Sequence, residues 1–194
     1  MSYKLGTHNS MTYLKPKQWF LWPFKWMAQC QSRDYKYQYD AGVRYFDMRV
    51  RFVEDAVEIT PEFAHGLISY KADVEQVLAD LNSRGEKIQI RLLLELASDI
   101  NQDGYQETCF IKKCHQWEKE YPNLIFHCGR RKYDWKVIYD FKNPEPSIDQ
   151  KVSSMLGKKW DDIFPWVWSR LYNKKFLKEG TDKEYLLLDY IHIK

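Results

Sequence analysis

Two histidines, an arginine and three carboxylates stand out by type and position. His8 follows "YKLGT", and His65 closes "EITPEFA". Asp47 and Arg49 sit two apart in "GVRYFDMRVRF", Glu95 ends "RLLLE", and Asp189 lies in "YLLLDYI". This set suits cleavage of a phosphodiester. One imidazole takes a proton from the attacking hydroxyl and the other gives one to the leaving alkoxide. Histidine's ordinary pKa of about 6.5 makes both jobs feasible near neutrality. Arginine presents a fixed fork of donors to phosphate oxygens and to charge that grows in the transition state. Asp189 in an apolar stretch needs a partner, because a bare buried carboxylate is costly. His8 is the economical choice and a buried lysine the alternative. Asp47 and Arg49 also read as a plain structural ion pair, and Glu95 as a solvated strand end. His115, His127 and His192 have no such company and are taken as structural.

The elements around these residues are legible from periodicity. Residues 3–8 read as a short strand leading into a loop. In 41–52, Val43, Tyr45, Asp47, Arg49 and Arg51 alternate with Arg44, Phe46, Met48, Val50 and Phe52, a period of two with one unusually polar face. Residues 56–66 give another strand. Val74, Val77, Leu78 and Leu81 recur at helical spacing, with Gly85 placed for a helix end. Strands are expected at 87–96, 123–128 and 184–191, and a helix over about 106–119. Residues 142–147 read as a loop, and "WDDIFPWVWSRLYNKKF" as one or two helices interrupted by Pro165. Strands alternating with helices imply a mainly parallel sheet with helices outside, and a closed barrel is one arrangement. In such barrels catalytic groups gather at the carboxyl ends of strands. His8, Arg49, His65, Glu95 and Asp189 all fall at or near such ends.

The ordered set "LGTHNS", "GVRYFDMRVR", "AHG" and "LLLDYI" resembles the catalytic X-domain of phosphatidylinositol-specific phospholipases C, in particular the metal-independent bacterial kind. The likeness covers residue 4 to about 95 and then 185–191. It implies an α/β fold, a distorted TIM-like (β/α) barrel that is either closed or incomplete, formed by one catalytic domain over 1–194. It also implies attack of the inositol 2-hydroxyl on its own phosphate. On that resemblance His8 is the general base, His65 the general acid, Asp189 the carboxylate that orients His8, Arg49 the phosphate contact and Asp47 its support. Asn9, Glu95, Arg91 and Arg130 are the candidates for holding substrate. Calcium-dependent relatives have a carboxylate where Arg49 stands, so no metal is expected. Asn9, Asp47 and Glu95 keep calcium open as the minority case. Bacterial members usually have aspartate after the first histidine, where this chain has Asn9.

Composition narrows the partners. A net charge of +3 over 194 residues argues against nucleic acid. Residues 1–33 nevertheless carry Lys4, Lys15, Lys17, Lys25 and Arg33 and no acid. Within them Trp19, Phe20, Leu21, Trp22, Phe24, Trp26 and Met27 form an aromatic run broken by Pro23. Tryptophan beside lysine is typical of a lipid–water boundary, so Trp19, Trp22, Phe24 and Trp26 are read as membrane contacts. The alternative is a lid packed on residues 164–168. No apolar run approaches 18 residues, so a cytoplasmic, peripherally membrane-associated protein is expected, or a secreted one if a leader was removed. Cys109, Cys114 and His115 lie on different faces of the expected helix and make a poor zinc pattern. Two other functions remain: a metal-dependent glycerophosphodiesterase or sphingomyelinase D-like hydrolase, and a catalytically inactive module that binds lipid or inositol phosphate.

Overall fold

The structure is a computed structural model that describes residues 3–54, 59–95, 105–131, 137–139, 145–153 and 164–192. In chain order the elements are β1 (Lys4–Thr7), a 3-10 segment (Trp19–Phe24), α1 (Lys25–Ala28), α2 (Tyr35–Asp40), β2 (Val43–Glu54), β3 (Ile59–His65) and β4 (Ile68–Ser69). They continue with α3 (Val74–Asn82), β5 (Ile88–Leu94), α4 (Tyr105–Glu120), β6 (Leu124–Arg131), β7 (Val137–Tyr139), β8 (Ile148–Lys151), α5 (Pro165–Glu179) and β9 (Tyr185–Leu188).

Six strands run parallel in the order β6-β5-β2-β1-β9-β8 and curl into an incomplete barrel. β7 and β3 add antiparallel to β6 and β2, and β4 pairs with β3. The alternation in β2 explains why the sheet has two unlike faces. Phe46, Met48, Val50 and Phe52 point outward into the main core. There they meet Val77, Leu78 and Leu81 of α3 and Phe110, Cys114 and Trp117 of α4. Fully burying one such side chain is worth about 1.5–3 kcal/mol. The other face carries Tyr45, Asp47 and Arg49. Parallel register places Asp47 beside Arg91 and Tyr45 beside Gln89 on β5. Tyr45 closes the floor of this inner face with Tyr185 and Leu187.

Gly6 permits the approach of β1 to its neighbours. A Cβ there would lie 2.6 Å from Leu187 Cδ1 and 3.1 Å from Tyr45 Cβ.

Some expected boundaries shift. β9 stops at Leu188, so Asp189 stands just past the strand and not within it. Side chains from α5 satisfy its carbonyl, which a neighbouring strand would otherwise do. Pro165 opens α5, the position where its fixed φ and missing N–H cost least, and the stretch expected as helix at 160–163 lies outside the described residues. Residues 129–183 also hold β7 and β8. The "IDQK" of β8 is a half-buried edge with no apolar alternation to betray it. α3 ends at Asn82, and Gly85 takes φ of 74° in the turn that closes it, as expected of a glycine at a helix end. On α4, Cys114 is buried in the core while His115 is exposed, so no thiol–imidazole site forms there.

Candidate active site

β1 and β9 are adjacent and parallel, with Thr7 opposite Leu188. The next residue of each strand is therefore brought alongside the other, and these are His8 and Asp189. His8 Nδ1 and Asp189 Oδ1 lie 2.8 Å apart. Both chains then turn sharply: Asn9 and Tyr190 each have φ of 45°. Asparagine tolerates that left-handed conformation, whereas tyrosine adopts it under strain. Gln31 ties the two turns together. Its Nε2 donates to Leu188 O at 2.9 Å and His8 O at 3.3 Å, and its Oε1 accepts from the Ile191 amide at 3.1 Å.

Asp189 is buried, and its carboxylate is fully supplied with donors. Oδ2 accepts from the Ser153 amide at 2.9 Å and the Ser153 hydroxyl at 3.2 Å, leaving Oδ1 to His8. On the far side of the ring, Asn9 Nδ2 donates to His8 Nε2 at 3.1 Å and Arg49 Nη2 stands 3.4 Å away. Two donors face Nε2 and a carboxylate faces Nδ1. The ring proton therefore sits on Nδ1, and the Nε2 lone pair faces the site.

Arg49 links the remaining groups. Its Nη1 is 3.3 Å from Glu95 Oε2, and its Nη2 is 3.9 Å from Asp47 Oδ2. Asp47 holds the turn after β1 in place, accepting from the Asn9 amide through Oδ2 at 3.2 Å and from the Ser10 amide through its carbonyl at 2.7 Å. Burial pushes the Asp47 carboxyl up, but Arg49, Arg91, His8 and the Asn9 amide together outweigh it and hold it below the ordinary carboxylate range. Arg91 also stands 3.5 Å from Glu145. It belongs to the inner wall behind Asp47.

His65 ends β3, half-buried. The turn after it is pinned at Gly66, whose amide donates to Glu95 Oε1 at 2.9 Å and whose carbonyl accepts from Arg51 Nη2. Gly66 has φ of 56°, which glycine adopts without penalty. Glu95 thus joins the His65 turn to Arg49, and the solvated-strand-end reading of Glu95 is set aside, since it is buried. The side chain of Arg130 lies outside the described residues.

The sequence reading missed three neighbours. Tyr70 is buried against a narrow void lined by Asn9, Met11, Thr12, Arg49 and Ala64. Its hydroxyl has no hydrogen-bond partner among the described residues, and burial raises its pKa. Ser153 and Cys30 flank Asp189. Cys30 is buried beside Asn9, which donates to its sulfur at 3.4 Å, and burial pushes its thiol pKa up, so it remains a thiol. No local pattern marks these three in sequence.

Calcium is a poor fit between Asn9, Asp47 and Glu95. The guanidinium of Arg49 already stands against both carboxylates, and a dication there would have to displace a buried, paired arginine.

The aromatic segment lies beside the His65 hairpin. Lys17 N donates to Ser69 O at 2.8 Å, Lys71 N to Lys15 O at 3.0 Å, and Pro16 bridges Tyr70. The 3-10 segment buries none of its residues, and Trp19 is 77% exposed. Phe20, Trp22, Phe24 and Trp26 are each more than half exposed. Trp26 also packs on Phe164 at 5.1 Å, so the lid reading holds for that one ring. The positive charge is weaker than the sequence suggests. Lys17 is paired with Glu62, and Lys25 is turned back to Tyr13 O at 2.6 Å.

No family model and no curated protein matches this chain. The solved structures do. The phosphatidylinositol-specific phospholipase C of Listeria monocytogenes aligns over 96% of this chain and 87% of its own, with 16% identity and a TM-score of 0.59. A single-residue variant of the Staphylococcus aureus enzyme aligns over 96% and 84%, with 14% identity and a TM-score of 0.64. A double variant of that enzyme gives 16% identity and 0.61. The chain has the fold of these bacterial phospholipases C, a mixed α/β incomplete barrel. Among the described residues no helix is long and apolar enough to cross a membrane.

Proposed function

We propose that the chain is a phosphodiesterase of the phosphatidylinositol-specific phospholipase C type. The observation that carries this is the His8 ring, bonded through Nδ1 to buried Asp189 and turned with its Nε2 lone pair toward Arg49. His8 takes the proton of the inositol 2-hydroxyl, which attacks its own phosphate. Asp189 fixes the tautomer and steadies the imidazolium that forms. Arg49 meets the growing charge on the phosphate oxygens, held by Glu95 and Asp47. His65 protonates the diacylglycerol oxygen as the phosphate closes into a cyclic ester. Asn9, Glu95 and Arg91 serve the head-group side, and Arg130, whose side chain lies outside the described residues, is assigned to it on the sequence resemblance alone.

Arg49 supplies the positive charge, and the reaction needs no metal. This argues against the metal-dependent glycerophosphodiesterase reading, which requires a cluster of carboxylates without a guanidinium among them. Trp19, Trp22, Phe24 and Trp26 rest on the lipid surface at the mouth of the site. One of the similar Staphylococcus aureus structures concerns membrane binding by that enzyme, in keeping with this reading.

The test is turnover of phosphatidylinositol in mixed micelles, with and without chelator, for wild type, His8→Ala and Arg49→Ala. Chelator-resistant release of cyclic inositol phosphate, lost in both variants, is expected. A wild type that binds the micelles without turnover would instead establish a lipid-binding module.

A further inference from the structure

Behind His8 lies a thiol that the proposed reaction does not use. Cys30 is held by its own backbone: its amide donates to Thr12 Oγ1 at 2.9 Å and its carbonyl accepts from the Tyr190 amide at 2.6 Å. One donor atom each from His8, Cys30 and Asp189 falls within 4.8 Å of the other two. We infer that these three residues form a binding site for a zinc-class divalent cation, and that its occupancy switches off the base. The consequence for turnover rests on the reading of His8 as base; the binding does not.

The donor set selects the metal. One nitrogen, one sulfur and one carboxylate oxygen suit zinc and its soft neighbours, whereas calcium and magnesium take oxygens. Tetrahedral zinc with ligands at about 2.0–2.3 Å needs its donors about 3.3–3.8 Å apart. His8 Nδ1 and Asp189 Oδ1 are at 2.8 Å, and the widest gap in the trio is at most 4.8 Å. The required spacing lies between these, so loading asks for shifts of about 1 Å.

Asn9 supplies the second observation. It is 3% exposed, and its Oδ1 has no hydrogen-bond partner among the described residues, while its Nδ2 serves both His8 Nε2 and Cys30 Sγ. When Nδ1 of His8 gives its lone pair to an ion, the ring proton moves to Nε2, which then needs an acceptor. Rotating the Asn9 amide by half a turn presents Oδ1, the outer hydrogen bond that a metal-bound histidine makes. The balance is simple. Zinc gains a bond to Cys30 sulfur, the thiol proton leaves to solvent, and nothing is oxidised. With Nε2 protonated and Nδ1 on the metal, His8 has no lone pair for the inositol hydroxyl.

The experiment titrates the chelator-stripped chain with cobalt(II) as a spectroscopic probe and with zinc against a chromophoric indicator. Turnover is followed at each loading. Wild type, Cys30→Ser and Cys109→Ser are compared, with melting temperatures to confirm folding. One equivalent should bind with a thiolate-to-cobalt absorption band, and turnover should fall with occupancy and return on chelation. Cys30→Ser should lose the band, bind zinc at least tenfold more weakly and turn over lipid undisturbed by zinc. A missing band, an unchanged affinity in Cys30→Ser, or loss of the band in Cys109→Ser overturns the site. A band in a wild type with no turnover supports the site and strikes only at the proposed function.

Discussion

His8 and Asp189, 181 positions apart in the chain, are joined by one 2.8 Å hydrogen bond because β1 and β9 pair in parallel and each ends one residue before the side chain concerned. The pairing register alone decides this contact. A shift of one residue would turn one of the two side chains to the other face of the sheet. Asp189 is spent on this bond and on Ser153, with its carbonyl taken by Ser169 and Asn173.

Asp189→Asn should therefore be the most informative single substitution. It keeps shape and packing but offers His8 Nδ1 an amide that can donate, which favours the tautomer with the proton on Nε2. On the proposed reaction kcat should fall by about 10⁴-fold, as when the orienting aspartate of a serine protease is replaced by asparagine. KM and melting temperature should change little. Turnover kinetics on micellar phosphatidylinositol would check this, and a loss under tenfold would remove Asp189 from the mechanism.

Asp47 links stability to acid. Its folded pKa is lowered, so its charged form contributes stability above the unfolded carboxylate pKa of about 3.9, and that contribution is lost as pH falls through the folded value. Wild type should melt higher than Asp47→Asn at pH 7, and the gap should narrow on acidification below about pH 4. Thermal melts of both proteins between pH 7 and 3 would show it. A gap that stays constant across that range would mean the charge of Asp47 is not what stabilises the turn after β1.

Strands β2 and β5 and helix α3 were legible in the first 95 residues because each carries a strong period or an apolar run, whereas α2 and the two-residue β4 were too short to show one. The polar inner face of β2 announced Asp47 and Arg49 as partners on one side. The same logic failed for β8, whose four residues are partly exposed at an edge and need no apolar pattern. It failed for Asp189 by one position, since an apolar run does not mark where side chains from a distant helix take over a strand's hydrogen bonds. Cys30, Tyr70 and Ser153 were invisible for a different reason. Each reaches the site through tertiary placement of a loop or short strand, and a lone cysteine, tyrosine or serine has no periodicity to read.

The exposed aromatic segment gives a prediction that separates docking from folding. Trp19 is 77% exposed and Trp22 half exposed with its Nε1 donating to Pro16 O at 3.1 Å, so changing both to alanine should lower the melting temperature by only about a few degrees. If they rest on lipid, each contributes about 1.5–3 kcal/mol of apolar burial, so vesicle affinity should fall by about tenfold or more per residue. Vesicle co-sedimentation and hydrolysis of a soluble inositol phosphodiester would be compared. Loss of both binding and soluble-substrate turnover would mean the pair supports the site itself. Trp26→Ala should differ by also costing about 0.5–1.5 kcal/mol of stability, because its ring lies 5.1 Å from that of Phe164.

Gly6→Ala probes the floor beneath the site. Gly6 needs no unusual φ; what it provides is room, since a Cβ would meet Leu187 Cδ1 at 2.6 Å and Tyr45 Cβ at 3.1 Å. Leu187 is two residues before Asp189 on β9, and Gly6 is two residues before His8 on β1. The added methyl must displace the buried Leu187 side chain, and what that side chain cannot yield falls on the spacing of the two strands that set the His8–Asp189 distance. Overpacking of this kind costs about 1–3 kcal/mol, and turnover should fall further than stability alone explains, because a shift of about 1 Å at a catalytic contact is worth up to about a hundredfold. Leu187→Val in the same chain frees space where the methyl would clash, and should restore part of both losses. Denaturant melts and turnover of the single and double variants would measure the coupling. If the two substitutions simply add, the β1–β9 approach at Gly6 does not govern the geometry of the dyad.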